Sequence, residues 1–150
     1  MDRPIVLFTN LFTVENKQVN QNKYIDILYI WLNNIINYGK LKDTDYCVLF
    51  IDEITSKYIS QKVLFNTLMS KIKNSYLIIY KQPKTIKEGI MKRYNIDELL
   101  DVTKEIEHLN PQYIHLDVDV LVVNDIRKLF KNKEVINKTI IDLTPVVGNF

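Results

Sequence analysis

Tyr113-Ile114-His115-Leu116-Asp117-Val118-Asp119-Val120-Leu121-Val122-Val123 alternates apolar and polar residues more regularly than any other stretch of the chain. Successive side chains of a strand point to opposite faces. The spacing therefore predicts a strand with Ile114, Leu116, Val118, Val120 and Val122 on one face and His115, Asp117 and Asp119 on the other. Two carboxylates side by side on an otherwise apolar strand are costly unless a cation, a proton or solvent offsets their charge. A bound divalent metal is one explanation. The other is that the strand leaves its sheet at Asp117, with both acids solvated or bonded to backbone N–H groups.

Outward from this stretch, Ile5-Val6-Leu7-Phe8, Tyr46-Cys47-Val48-Leu49-Phe50-Ile51 and Tyr76-Leu77-Ile78-Ile79-Tyr80 are continuous apolar runs of strand length. Such runs suit strands buried on both faces of a parallel sheet. Between them the apolar rhythm lengthens to three and four. Tyr24, Leu28, Trp31, Ile35 and Tyr38 predict a helix over 22–38 that stops at Gly39. Phe65, Leu68, Met69 and Ile72 predict a second helix, with Thr55 or Ser56 as cap. Further helices are expected over 86–94, along Leu99, Val102, Ile106 and Leu109, and over 125–130, with a last strand at 139–143.

This alternation predicts a single α/β domain over 1–150, with a mainly parallel sheet, flanking helices and right-handed crossovers. Ligands of such sheets bind outside the carboxyl ends of the strands. Thr9 and Asn10, Asp52 and Glu53, Lys81 and Gln82, and Asp117 and Asp119 are accordingly expected along one edge, with the 113–123 strand at the centre.

Composition narrows the classes. Lys and Arg number 20 against 18 Asp and Glu, a net charge of +2, and the charges are interspersed. No basic stripe tracks a phosphate backbone, so nucleic acid is not an expected partner. The single cysteine, Cys47, excludes an internal disulfide and reads as a small buried hydrophobe. No signal peptide or spanning segment is recognisable, so a cytoplasmic location is expected. Asn137-Lys138-Thr139 matches a glycosylation acceptor, an incidental match without a secretory signal. Glycine-rich phosphate loops, G-x-S-x-G elbows and zinc spacings of Cys and His are absent from the sequence.

The run His115-Leu116-Asp117-Val118-Asp119-Val120-Leu121-Val122-Val123-Asn124-Asp125-Ile126-Arg127-Lys128-Leu129-Phe130 resembles the D-x-D region of GT-A-type glycosyltransferases. There an apolar strand, D-x-D, an apolar run and N/D-I-x-x-L lie at the centre of the nucleotide-sugar site. Residues 83–94 are more faintly similar to the donor-side helix that precedes the motif in some of these enzymes. The resemblance implies a Rossmann-like donor-binding half that takes a nucleotide-diphosphate sugar, UDP-linked by preference, and an unidentified acceptor. It implies Asp119 as a direct ligand of Mn²⁺ or Mg²⁺, Asp117 on the ribose or the ion, and Val118 between them in the site.

Hard carboxylate oxygens suit these ions, which neutralise a departing diphosphate. Lys92 and Arg93 are candidates for the diphosphate, with two solvated helix charges as the plainer reading. Thr9, Asn10 and Asp52 are candidates for base and ribose, although strand-end turn chemistry explains them more simply. His115 is expected to be a satisfied core residue. The family often adds a later histidine or acid to the metal shell; no histidine follows Asp119, so that ligand is missing or replaced.

The family also continues well past the motif into acceptor-binding elements, and about thirty residues follow Asp119. The expectation is therefore a donor-binding part, truncated, non-transferring or completed by a partner chain; a homo-oligomer is compatible with it. A haloacid-dehalogenase-type phosphatase fits less well. Its nucleophilic Asp lies near the start of the domain, and Leu121 stands where that family has Thr or Val. The non-enzymatic alternative is a nucleotide-sugar-binding or scaffold domain with a degenerate site.

Overall fold

Apolar runs at both parities make strands that must be covered on both faces, and the chain does this for 5–11 and 46–52; in the third run, 75–80, only Ile78 is buried and Ile79 is 54% exposed, because that strand lies at an edge of the sheet. The computed structural model describes residues 3–130. β1 (Ile5–Leu11), β2 (Tyr46–Asp52), β3 (Ser75–Tyr80) and β4 (Gln112–His115) form one all-parallel sheet in the order β3-β2-β1-β4. Register places Val6 beside Tyr46 and Tyr113, and Phe8 beside Val48 and His115. The helices are α1 (Tyr24–Asn34), α2 (Glu53–Ile59), α3 (Val63–Ser70), α4 (Ile86–Met91) and α5 (Ile96–Val102). Short 3-10 turns over Lys92–Tyr94, Lys104–Leu109 and Ile126–Phe130 complete the expected helical segments.

The odd positions Ile5, Leu7, Cys47, Leu49 and Ile51 pack with Leu28, Trp31, Leu32, Phe65 and Leu68 of α1 and α3. The even positions Val6, Phe8, Val48 and Phe50 pack with Leu99 of α5 and with Ile106. The α/β class read from the sequence is thus the observed one. The strand expected at 139–143 and the acceptor match at Asn137 lie outside the described residues.

Several expectations are corrected. The strand placed at the centre is an edge strand, and it ends at His115. Its alternation nevertheless continues: Leu116, Val118, Val120 and Val122 all join the core on the α1 side. Periodicity recorded burial, and backbone pairing stopped earlier. Gly39 does not stop the first helix by a left-handed turn. Here α1 runs into a π-helical turn, Ile35–Gly39, and Lys40 takes the positive φ of 55°. The helix expected to run from a cap at Thr55 or Ser56 through Phe65 is two helices: Thr55 and Ser56 lie buried within α2, which Asp52 caps, and α3, which carries Phe65, starts after Lys62 with no side-chain cap bond.

Beyond the D-x-D the chain crosses back to the amino end of the sheet and is stapled there. Arg127 donates from both terminal nitrogens to Asp45, each at 2.6 Å. The fully buried Asp45 carboxylate also accepts from the backbone N–H groups of Ile5 at 2.8 Å and Lys42 at 2.6 Å. A bidentate guanidinium with backbone donors satisfies a buried carboxylate, and that offsets the cost of taking it out of water.

Candidate functional site

With the order β3-β2-β1-β4, crossovers leave β1 toward β2 on one side, and β4 returns on the other. The order reverses between β1 and β4, and open α/β sheets bind ligands outside the carboxyl ends of strands at such a point. A cleft of about 740 Å³ lies there. Its floor is Asn10 to Val14, at the end of β1 and just beyond it, and His115, Asp117, Val118 and Asp119, at the end of β4 and just beyond it. Its walls come from the start of α1, with Lys23 and Tyr24, and from α4 with Ile86 and Ile90, continuing to Arg93.

The two carboxylates reach the cleft through a turn. Leu116 still donates its N–H to Phe8 O at 3.1 Å, and Val120 N–H then closes on Asp117 O at 2.9 Å. Val118, 6% exposed, points into the core and anchors the turn, while Asp117 and Asp119 are exposed on its outer side. The strand thus leaves its sheet before the two acids, as the second explanation has it, and both acids emerge into the cleft.

Arg93 approaches Asp117, with Nη1 to Oδ1 at 3.5 Å, and His115 Nδ1 lies 3.8 Å from the same oxygen. Burial lowers the His115 pKa to about 4; Asp117 opposes the shift and the Arg93 guanidinium adds to it. The imidazole is therefore neutral at pH 7. Its Nε2 and the Nε of Arg93 are buried without a hydrogen-bond partner. His115 is thus not the satisfied core residue expected, although its ring does pack edge-on against Phe8.

The remaining candidates divide. Asn10 lines the cleft, but both ends of its amide are engaged within the protein, by Tyr80 and by Gly89 O. Thr9 is fully buried on the α1 face of β1 and does not line the cleft. Asp52 is fully buried as well. Its Oδ2 accepts from Ile54 and Thr55 N–H and its Oδ1 from Thr13 N–H, so its role is that of a helix cap that also holds the loop after β1. Lys92 turns away from the cleft, with Nζ 5.6 Å from the centroid of the Tyr80 ring. In the 3-10 turn over Lys92–Tyr94 one residue is about 120° of rotation, enough to separate Lys92 from Arg93.

Sequence reasoning put 83–94 on the donor side without singling out Ile86 or Ile90, and it missed Phe12, Lys17, Lys23 and Tyr24; all six line the cleft. It also missed Thr13. That residue shares a hydrogen bond with Thr55 Oγ1, accepts from Asn22 at Oγ1 and accepts from Gln82 at its carbonyl. The scarcity of glycine is one signal that pointed here. Gly89 is one of three in the chain, and a Cβ on it would sit 2.5 Å from the Phe12 ring.

As to metal, no group of three His, Cys, Asp or Glu side chains gathers among the described residues. An all-protein cage is therefore not what this cleft offers. Asp119 makes no hydrogen bond or ion pair among the described residues, and Asp117 shares its charge with Arg93. This donor set fits an ion of the Mg²⁺ type, which takes one or two carboxylates and completes its shell with ligand phosphates and water.

No protein-family model matches the chain, and no curated protein sequence matches it. Among solved structures, that of mouse xyloside xylosyltransferase 1 in its apo form is similar, with 14% identity and a TM-score of 0.45. The match covers 87% of this chain and 49% of that one, so the chain spans about half the length of the structure it matches. No helix among the described residues is long and apolar enough to cross a membrane.

Proposed function

We propose that the chain is the donor-binding part of a glycosyltransferase, taking a nucleotide-diphosphate sugar into the cleft between β1 and β4. The observation that carries this reading is the meeting of Asp117, Asp119 and Arg93 at the topological switch point of the sheet. The base, uridine by preference, takes the apolar side of the cleft beside Phe12 and Tyr24. Arg93, with Lys17 and Lys23 also lining the cleft, complements the diphosphate charge.

Asp119, with Asp117, would hold Mn²⁺ or Mg²⁺. When bound, the ion would stabilise negative charge on the departing diphosphate. In transfer, the bond from the anomeric carbon to the diphosphate oxygen breaks, and its electron pair stays with the diphosphate. An acceptor hydroxyl oxygen forms the new bond, and its proton passes to the departing diphosphate or to water.

Thermal unfolding tests the reading with UDP, GDP and their sugars, with and without Mn²⁺. A ligand at a hundred times its dissociation constant stabilises the folded state by about 2.7 kcal/mol. One nucleotide is expected to raise Tm only with Mn²⁺ present, and Asp117→Ala and Asp119→Ala are each expected to abolish that response. A folded protein that responds to no nucleotide or metal would overturn the reading in favour of a scaffold domain. Binding without transfer or hydrolysis of the sugar would assign the chain to the binding-only alternative.

A further inference from the structure

The cleft wall formed by α4 is lightly attached. Of its six residues only Gly89 is buried; Ile86 is 63% exposed, and Ile90 and Met91 are exposed as well. A helix of this length has little stability of its own and keeps its place through tertiary contacts.

Three contacts hold it over the cleft. Asn10 Nδ2 donates to Gly89 O at 2.8 Å, the Phe12 ring lies flush against the missing Cβ of Gly89, and Glu15 N–H bonds Pro83 O just upstream. Asn10 is itself set by the sheet: the Tyr80 hydroxyl donates to Asn10 Oδ1 at 2.6 Å, and burial raises the Tyr80 pKa well above its ordinary value. The same Tyr80 ring faces the Lys92 ammonium. Tyr80 at the end of β3, Asn10 at the end of β1 and the backbone of α4 thus form one chain of contacts, and the turn that follows α4 carries Arg93 to Asp117.

We propose that Asn10 is a positioning residue that latches α4 to the sheet and so sets where Arg93 stands in the cleft. With both ends of its amide engaged, Asn10 acts on a ligand through Arg93 and not by touching it. The functional consequence rests on the donor-site reading; the latch itself does not.

The test compares Asn10→Ala and Tyr80→Phe with wild type by amide hydrogen exchange in the absence of ligand, and by UDP affinity in Mn²⁺ with and without Arg93→Ala. Asn10→Ala is expected to speed exchange at 89–94 about fivefold, the weight of one neutral hydrogen bond, while β1 and β2 keep their protection. Tyr80→Phe, which keeps the ring under Lys92, is expected to act in the same direction and more weakly. Unchanged exchange at 89–94 in both variants overturns the latch, as does faster exchange spread evenly over the sheet.

UDP affinity is expected to fall about fivefold in Asn10→Ala and less than twofold when Arg93→Ala is already present, since residues acting through one contact are not additive. Equal losses in both backgrounds overturn the link to Arg93 and make Asn10 a direct ligand contact. A wild type that binds no UDP overturns the donor-site reading, and the exchange comparison then still decides the latch.

Discussion

Asp45, Asp52, Asp117 and Asp119 show how one residue type divides between structure and site. Asp45 and Asp52 are fully buried and surrounded by backbone donors, whereas Asp117 and Asp119 face the cleft. The sequence marks Asp52 and Asp117 alike, as an acid closing an apolar run, because capping and ligand binding use the same strand-end chemistry. Asp45 and Arg127 lie 82 residues apart, and no local pattern joins them. Removing one partner of a buried pair leaves a charge uncompensated, so Arg127→Met is expected to cost about 3–5 kcal/mol in urea unfolding. A loss below about 1 kcal/mol would show that the pair is peripheral.

His115 makes a pH prediction. Its folded-state pKa lies below the ordinary 6.5, near 4, so the unfolded chain takes up the proton first. Its contribution to stability is complete above about pH 6.5 and declines as the pH falls toward 4, by about 3 kcal/mol at most. His115→Gln is expected to flatten that decline in unfolding measured across this range. An unchanged slope would mean that the ring titrates normally.

At the scale of elements, β1 and β2 were legible because a strand covered on both faces has to be apolar at both parities; β3 was legible as a strand from the same pattern, but not as the half-exposed edge it is. The end of β4 was not legible. Val118, Val120 and Val122 stay buried after pairing stops, and a period of two records burial on one side whether or not a neighbouring strand is present. The approach of α4 to the loop after β1 was also hidden, since it depends on a glycine facing an aromatic ring far away in sequence. Gly89→Ala places a methyl group inside the Phe12 ring. It is expected to destabilise by about 1–3 kcal/mol and to shift the NMR signals of Phe12 and of residues 86–94 while leaving β2 unmoved. Shifts confined to residue 89 itself would mean that α4 yields without cost.

For the whole molecule, the carboxyl edge was legible as a direction but not as a composition. Parallel strands bring all their carboxyl ends to one side, as anticipated, yet only the ends of β1 and β4 open into the cleft. Asp52 and Thr9 are taken up by packing, and Lys92 faces away. The site therefore reduces to Asp117, Asp119 and Arg93, with Asn10 and His115 beside them. The most direct measurement is the paramagnetic broadening of backbone NMR signals when Mn²⁺ is added together with UDP. The account predicts that signals of residues 115–120, 10–13 and 93 broaden first, and that Asp119→Ala removes the effect while the spectrum stays folded. Broadening centred on the amino end of the sheet around Asp45, or broadening that survives Asp119→Ala, would contradict it.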